Sequence, residues 1–182
     1  MSTKDITIAA IFAGLISISA YVVIPLSIIP FSLQVFSVSL TAISLPKKQA
    51  MLAIVTYILI GLIGVPVFAG GRGGPQVILS LTFGFIIGFI PMVYIINTLF
   101  NKLPKNKLWI AFVCGSLALY AVALPILYLN LTFYVGKTIK ISTLLLSYWI
   151  AFIPTDLISL GLSYIVYLRM PKSIIKNKKA GN

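Results

Sequence analysis

The 182-residue chain has no histidine, a single cysteine and only two acidic residues. Each shortage removes a class of chemistry. Without histidine, zinc hydrolysis and serine or cysteine nucleophiles lose their usual base. Cys114 alone excludes an intramolecular disulfide and any cysteine-built metal site. No glycine-rich loop ends in Gly-Lys-Ser/Thr, so ATP is not expected to bind here and any uphill work needs a partner. Period-two alternation is absent, which argues against a membrane β-barrel. Charge itself is scarce: 9% of residues are Asp, Glu, Lys or Arg, whereas a soluble domain carries about 25% to face water. At 60% apolar residues the chain is too hydrophobic to be disordered.

What the chain has in abundance is long uncharged runs. Residues 6–46 form one of 41 residues, followed by 49–71, 73–101, 108–136 and 141–168, the last interrupted by Asp156. A helix needs about 20 residues to cross the hydrocarbon, so four runs hold one span each. The first holds two, divided where Pro25, Ser27 and Pro30 fall. The expected fold is all-α: one domain over 1–182 with six transmembrane helices, at about 6–24, 31–46, 49–66, 76–100, 108–131 and 142–168.

Six crossings put both termini on one side. Eleven of the 14 basic residues fall there, leaving Arg72, Lys137 and Lys140 opposite. The positive-inside rule then makes both termini cytoplasmic, in a multi-pass protein of the cell membrane. Its net charge of +12 belongs to loops and to a basic tail at 170–182 that meets anionic lipid, and nucleic acid is not expected as a partner. Ser17 and Ser19 weakly resemble a cleavage site. The apolar run continues past them, so a removed leader is not expected.

Three features carry candidate chemistry. In the first span Ala9, Ala13 and Ser17 recur every four residues, with Ala10 and Gly14 beside them. Such a stripe admits a close helix neighbour, either within the chain or on a partner subunit; for Gly84 and Gly88, packing within the chain is the better reading. The segment from Gly64 to Pro75 is too rich in glycine and proline to be helical. It is either a plain connector or an outer loop closing over a ligand, with Gly70 and Gly71 at its turn and Arg72 placed to meet a carboxylate or lipid headgroups. Asp156 lies inside the last span, where an unpaired charge costs roughly 2.5–3.5 kcal/mol. It faces a ligand cavity, forms a structural pair or relays protons, and Pro154 and Thr155 add a free carbonyl and a hydroxyl nearby. Gln34, Thr82, Asn97, Tyr120, Tyr128, Asn130, Tyr148 and Trp149 are the remaining polar or aromatic positions of interest, while Trp109 suits the interfacial belt.

The stretches Pro30-Phe31-Ser32-Leu33-Gln34, Gly61-Leu62-Ile63-Gly64-Val65-Pro66-Val67-Phe68-Ala69-Gly70-Gly71 and Thr82-Phe83-Gly84-Phe85-Ile86-Ile87-Gly88-Phe89 together resemble the BioY family. Tyr120 with Pro125-Ile126-Leu127-Tyr128-Leu129, and Ile153-Pro154-Thr155-Asp156-Leu157-Ile158, resemble its fifth and sixth helices. The resemblance implies the biotin-specific S component of an energy-coupling factor (ECF) transporter. Such a subunit takes biotin from outside and works with a transmembrane coupling subunit and two ATPase subunits, which use the ATP. It also gives Ala9, Ala13 and Ser17 a partner-docking role. For biotin it implies Asp156 as acceptor of the ureido N–H groups, and Gln34 or Thr82 as further ring contacts. Phe68, Phe85 and Trp149 pack on the ring, and Arg72 meets the carboxylate. Tyr120 belongs to the same region.

Two departures bear on the ligand. Ser159 stands where the family has Lys, and Ser80-Leu81-Thr82 with Phe85 replaces Gly-Pro-Thr and Tyr. A related compound such as dethiobiotin or lipoate therefore stays open. So do an autonomous small-solute facilitator and, least favoured, a membrane-embedded enzyme.

Overall fold

Uncharged runs in lipid must satisfy their own backbone, and helices are how this chain does so. A computed structural model describes residues 2–24, 31–137 and 140–170. Helix α1 spans Thr3–Tyr21 and leads through a two-residue antiparallel hairpin, β1 Val23–Ile24 with β2 Phe31–Ser32. Then come α2 (Gln34–Ser44), α3 (Lys47–Ile63), α4 (Phe83–Lys102), α5 (Leu108–Leu129), α6 (Ile141–Tyr148) and α7 (Ile153–Arg169). Four helical segments, Thr3–Tyr21, Phe83–Lys102, Lys105–Tyr134 and Ile141–Arg169, are long and apolar enough to cross a membrane.

The start of α1 is a capping box. Asp5 N–H donates to Ser2 Oγ at 3.3 Å, and Ser2 N–H donates to Asp5 Oδ2 at 2.7 Å, satisfying donors that a helix start leaves free. Gln49 Nε2 donates to Asp5 Oδ1 at 2.7 Å, which ties this cap to α3.

Helix α2 is the centre of the bundle, packed by α1, α3, α4 and α7. At 11 residues it is only about 16 Å long, shorter than the span expected over 31–46. Its hydroxyls bond inward: Thr41 Oγ1 donates to Ser37 O at 2.6 Å, and the Ser19 and Ser37 hydroxyls are 2.5 Å apart. The carbonyls at its C-terminal end are met by buried Asn97 of α4, whose Nδ2 donates to Ala42 O at 2.7 Å and Leu45 O at 2.8 Å. A helix can end inside the bundle because those acceptors have a donor there.

Helices α4 and α5 pack closely because Gly84 and Gly88 leave no side chain between them. A Cβ on Gly84 would lie 2.5 Å from Ala123 O, and one on Gly88 2.8 Å from Leu119 O. Their stripe therefore serves internal packing.

Two expectations are corrected. The last span is not one helix over 142–168: it breaks between α6 and α7 through a 3₁₀ turn at Ile150–Phe152. Pro154 sits in the first turn of α7, where it fits a helix start but bars a regular helix from running through. In the first span, Ala9 and Ala13 are 1% and 3% exposed, buried where α1 packs on α2 and α3. Side chains enclosed by their own bundle have no surface to offer a partner. Ala10 and Gly14 are the exposed small pair, and Ser17, half-buried, bonds back to Ala13 O at 2.8 Å. The break placed at Pro25, Ser27 and Pro30 and the tail beyond Met170 lie outside the described residues.

Candidate functional site

Three helix starts converge on one cavity. The beginning of α2 brings Gln34 and Val35, with Ser32 just ahead of it. The N-cap and first two turns of α4 bring Thr82, Phe85, Ile86 and Phe89, which share one face by the spacing of three and four. Phe152 and Asp156 enter at the start of α7, Leu119 and Tyr120 come from α5, and Ala69 comes from the glycine-rich loop. The enclosed space is about 60 Å³.

Asp156 is 4% exposed, and no lysine or arginine lines the cavity. Its partner is Tyr120, whose hydroxyl donates to Asp156 Oδ2 at 2.5 Å. An ionised carboxylate accepts several hydrogen bonds, so one donor leaves most of its acceptor capacity unused. The Tyr120 ring is held edge-on by Phe85, at 5.9 Å and 88°, and Phe85 also lies 6.3 Å from Phe152. The result is an aromatic cup with one carboxylate at its wall.

Gln34 is fixed at both ends of its amide. Ser32 Oγ donates to Oε1 at 2.8 Å, and Nε2 donates to Tyr57 OH. Thr82 lines the same space, with its hydroxyl 3.1 Å from that of Ser80. Of the sequence candidates, the cavity collects Asp156, Gln34, Thr82, Phe85 and Tyr120.

The remaining candidates fall elsewhere. Phe68 is 1% exposed and lies one layer behind the cavity. It meets Tyr57 edge-on at 5.4 Å and occupies the space beside Gly61, where a Cβ would come within 2.1 Å of its ring. Phe68 thus positions Tyr57, and Tyr57 positions Gln34, so its action on a ligand is indirect. Gly70 and Gly71 have φ of +75° and +71°, a region open to glycine. They form the tight turn in which Phe68 N–H donates to Arg72 O at 2.9 Å.

That turn carries the Arg72 side chain away from the cavity, into an outer groove with Gln76 and Tyr134. Trp149 is outside the cavity too, with its ring 6.3 Å from that of Tyr120 on the far side of the site wall. Ser159, three residues after Asp156, is buried, and its hydroxyl has no partner among the described residues. It does not line the cavity.

Sequence reasoning missed Ser32, Val35, Ile86, Phe89, Leu119, Phe152 and Ala69 as lining residues, and Tyr57 behind them. The α4 set was readable, since Phe89 continues the face of Thr82 and Phe85. Tyr57 stands in an unbroken apolar run, and nothing local distinguishes it.

A multi-pass helical membrane protein with an enclosed, aromatic, singly acidic ligand cavity is the class that fold and site define. Comparison with known proteins narrows it. The family model described as BioY family matches residues 1–176, and the chain belongs to that family. It is 38% identical over 168 residues to "Biotin transporter BioY" of Thermotoga maritima, covering 90% of this chain and 94% of that one. It is 33% identical over 133 residues to "Probable biotin transporter BioY" of Lysinibacillus sphaericus, covering 71% and 67%. The fold resembles a crystal structure of the S-component for biotin from an ECF-type ABC transporter. The TM-score is 0.71 at 22% identity, with 93% of each chain covered.

Proposed function

We propose that this chain is the biotin-capturing S component of an ECF-type transporter, with the α2–α4–α5–α7 cavity as its ligand site. The observation that carries the reading is the Asp156–Tyr120 pair, a buried acceptor in an aromatic cup that no cation among the described residues neutralises. Biotin matches this chemically, with a flat apolar bicycle and two ureido N–H donors. Ligand pockets usually hold about 300 Å³ or more, so binding widens the cavity as Asp156 exchanges or adds donors.

The names of the BioY relatives support a transporter and not an enzyme. With no phosphate-binding loop in the sequence, ATP is used by partner ATPases, and a coupling subunit docks on the exposed Ala10–Gly14 face of α1. The chain crosses the cell membrane six times with both termini cytoplasmic. The short α2 serves as one crossing, and α6 with α7 serves as another.

Equilibrium titration of the purified protein in detergent, with biotin, then dethiobiotin and lipoate, tests the reading. Near-stoichiometric biotin binding is expected. Binding of a relative alone would transfer the site to that compound, and Ser159 in place of the family's lysine is the residue to examine first. Transport by the purified chain in vesicles without ATPases would replace the reading with a facilitator.

A further inference from the structure

A second cavity, sharing no lining residue with the first, opens on the lipid-facing side between α5 and α7. It encloses about 400 Å³. The Phe112 and Tyr164 rings, 6.3 Å apart and crossed at 74°, make a firm floor. The trough runs past Gly161, where an added Cβ would meet no atom within 4 Å. Apart from one end, the lining is almost wholly hydrocarbon and aromatic carbon. At that end stand Trp109, 63% exposed, and Lys105.

The two ends of this cleft call for different chemistry. An apolar trough between membrane helices is filled by hydrocarbon, and tryptophan marks the level where hydrocarbon gives way to headgroups. At that level Lys105 stands with Lys102 and Lys107 in the α4–α5 connection. Neither of the chain's acidic side chains is available to them: Asp5 caps α1 and bonds Gln49, and Asp156 is buried against Tyr120. Basic pockets between membrane helices take anionic lipid headgroups. We propose that the α5–α7 cleft binds one anionic phospholipid, with an acyl chain along Phe112, Gly161 and Tyr164 and its phosphate at Lys105.

Photo-crosslinking of the full chain in detergent with photoactivatable phosphatidylglycerol, and separately phosphatidylcholine, tests this. Labelling should map to α5 and α7 and favour phosphatidylglycerol by about fivefold, the scale of one lysine near a charged lipid. Lys105→Glu, an exposed change, should abolish the preference. Gly161→Phe should fill the trough and suppress labelling by both lipids while circular dichroism stays that of wild type. Equal labelling by the two lipids, or a preference that survives Lys105→Glu, would each overturn the proposal.

Discussion

The chain has two carboxylate side chains, and they sit in opposite settings. Asp5 stands at the partly exposed start of α1, with both oxygens engaged by donors that belong to the fold, the Ser2 backbone and the Gln49 amide. Asp156 is buried at the start of α7 with one protein donor, the Tyr120 hydroxyl. Burial without full pairing is costly, and a fold gains nothing from it unless something else arrives to complete the shell. The side chain is the same in both places. The unfilled hydrogen-bonding capacity separates a structural cap from the proposed ligand contact.

Neutralising each acid in turn is the most direct way to break this comparison. Asp156→Asn should weaken biotin binding about 100-fold, the scale of a lost pair of charge-assisted bonds, as read by calorimetry. It should leave the unfolding temperature equal or higher, because a desolvated charge is removed. A variant that binds within a few-fold of wild type would place the ligand elsewhere. Tyr120→Phe comes next: it strips Asp156 of its protein donor and should destabilise the ligand-free protein by about 1–3 kcal/mol in thermal unfolding. Biotin should recover more of that loss than it adds to wild type, since the ligand's N–H groups replace the missing hydroxyl. The smallest effect belongs to Asp5→Ala, about 0.5–1 kcal/mol from the lost cap, with biotin affinity unchanged. A binding defect in that variant would mean that the start of α1 communicates with the cavity.

Much of this arrangement was legible in the sequence, for identifiable reasons. Long uncharged runs mark most of the helices because lipid leaves the backbone few alternatives. An acid within such a run stands out for the same reason. Depth was not legible. Phe68 and Phe85 lie in two equally apolar motifs, yet one faces the cavity and the other sits a layer behind it against Gly61. Small residues fall on both the Ala9–Ala13 and the Ala10–Gly14 faces of α1, about 100° apart, and only the packing of α2 and α3 decides which is enclosed. The length of α2 was hidden because its terminal carbonyls are satisfied by Asn97, 55 residues from Ala42 in the chain. The break before α7 is foreshadowed by Pro154, whose missing N–H suggests a freed carbonyl within one span and equally suits the first turn of a new helix.

Asn97 has a mechanical consequence. Its two bonds clamp the turn between α2 and α3 onto α4 and so tie these three helices together. Across the cavity from α2 and α4 stand Leu119 and Tyr120 of α5, and Phe152 and Asp156 at the start of α7. A cavity of about 60 Å³ must widen to admit a vitamin, and the widening is expected at the 3₁₀ turn Ile150–Phe152, which brings Phe152 to the cavity. Amide exchange should therefore be slow along α2 and α4 and faster through the 3₁₀ turn before α7 until a ligand is bound.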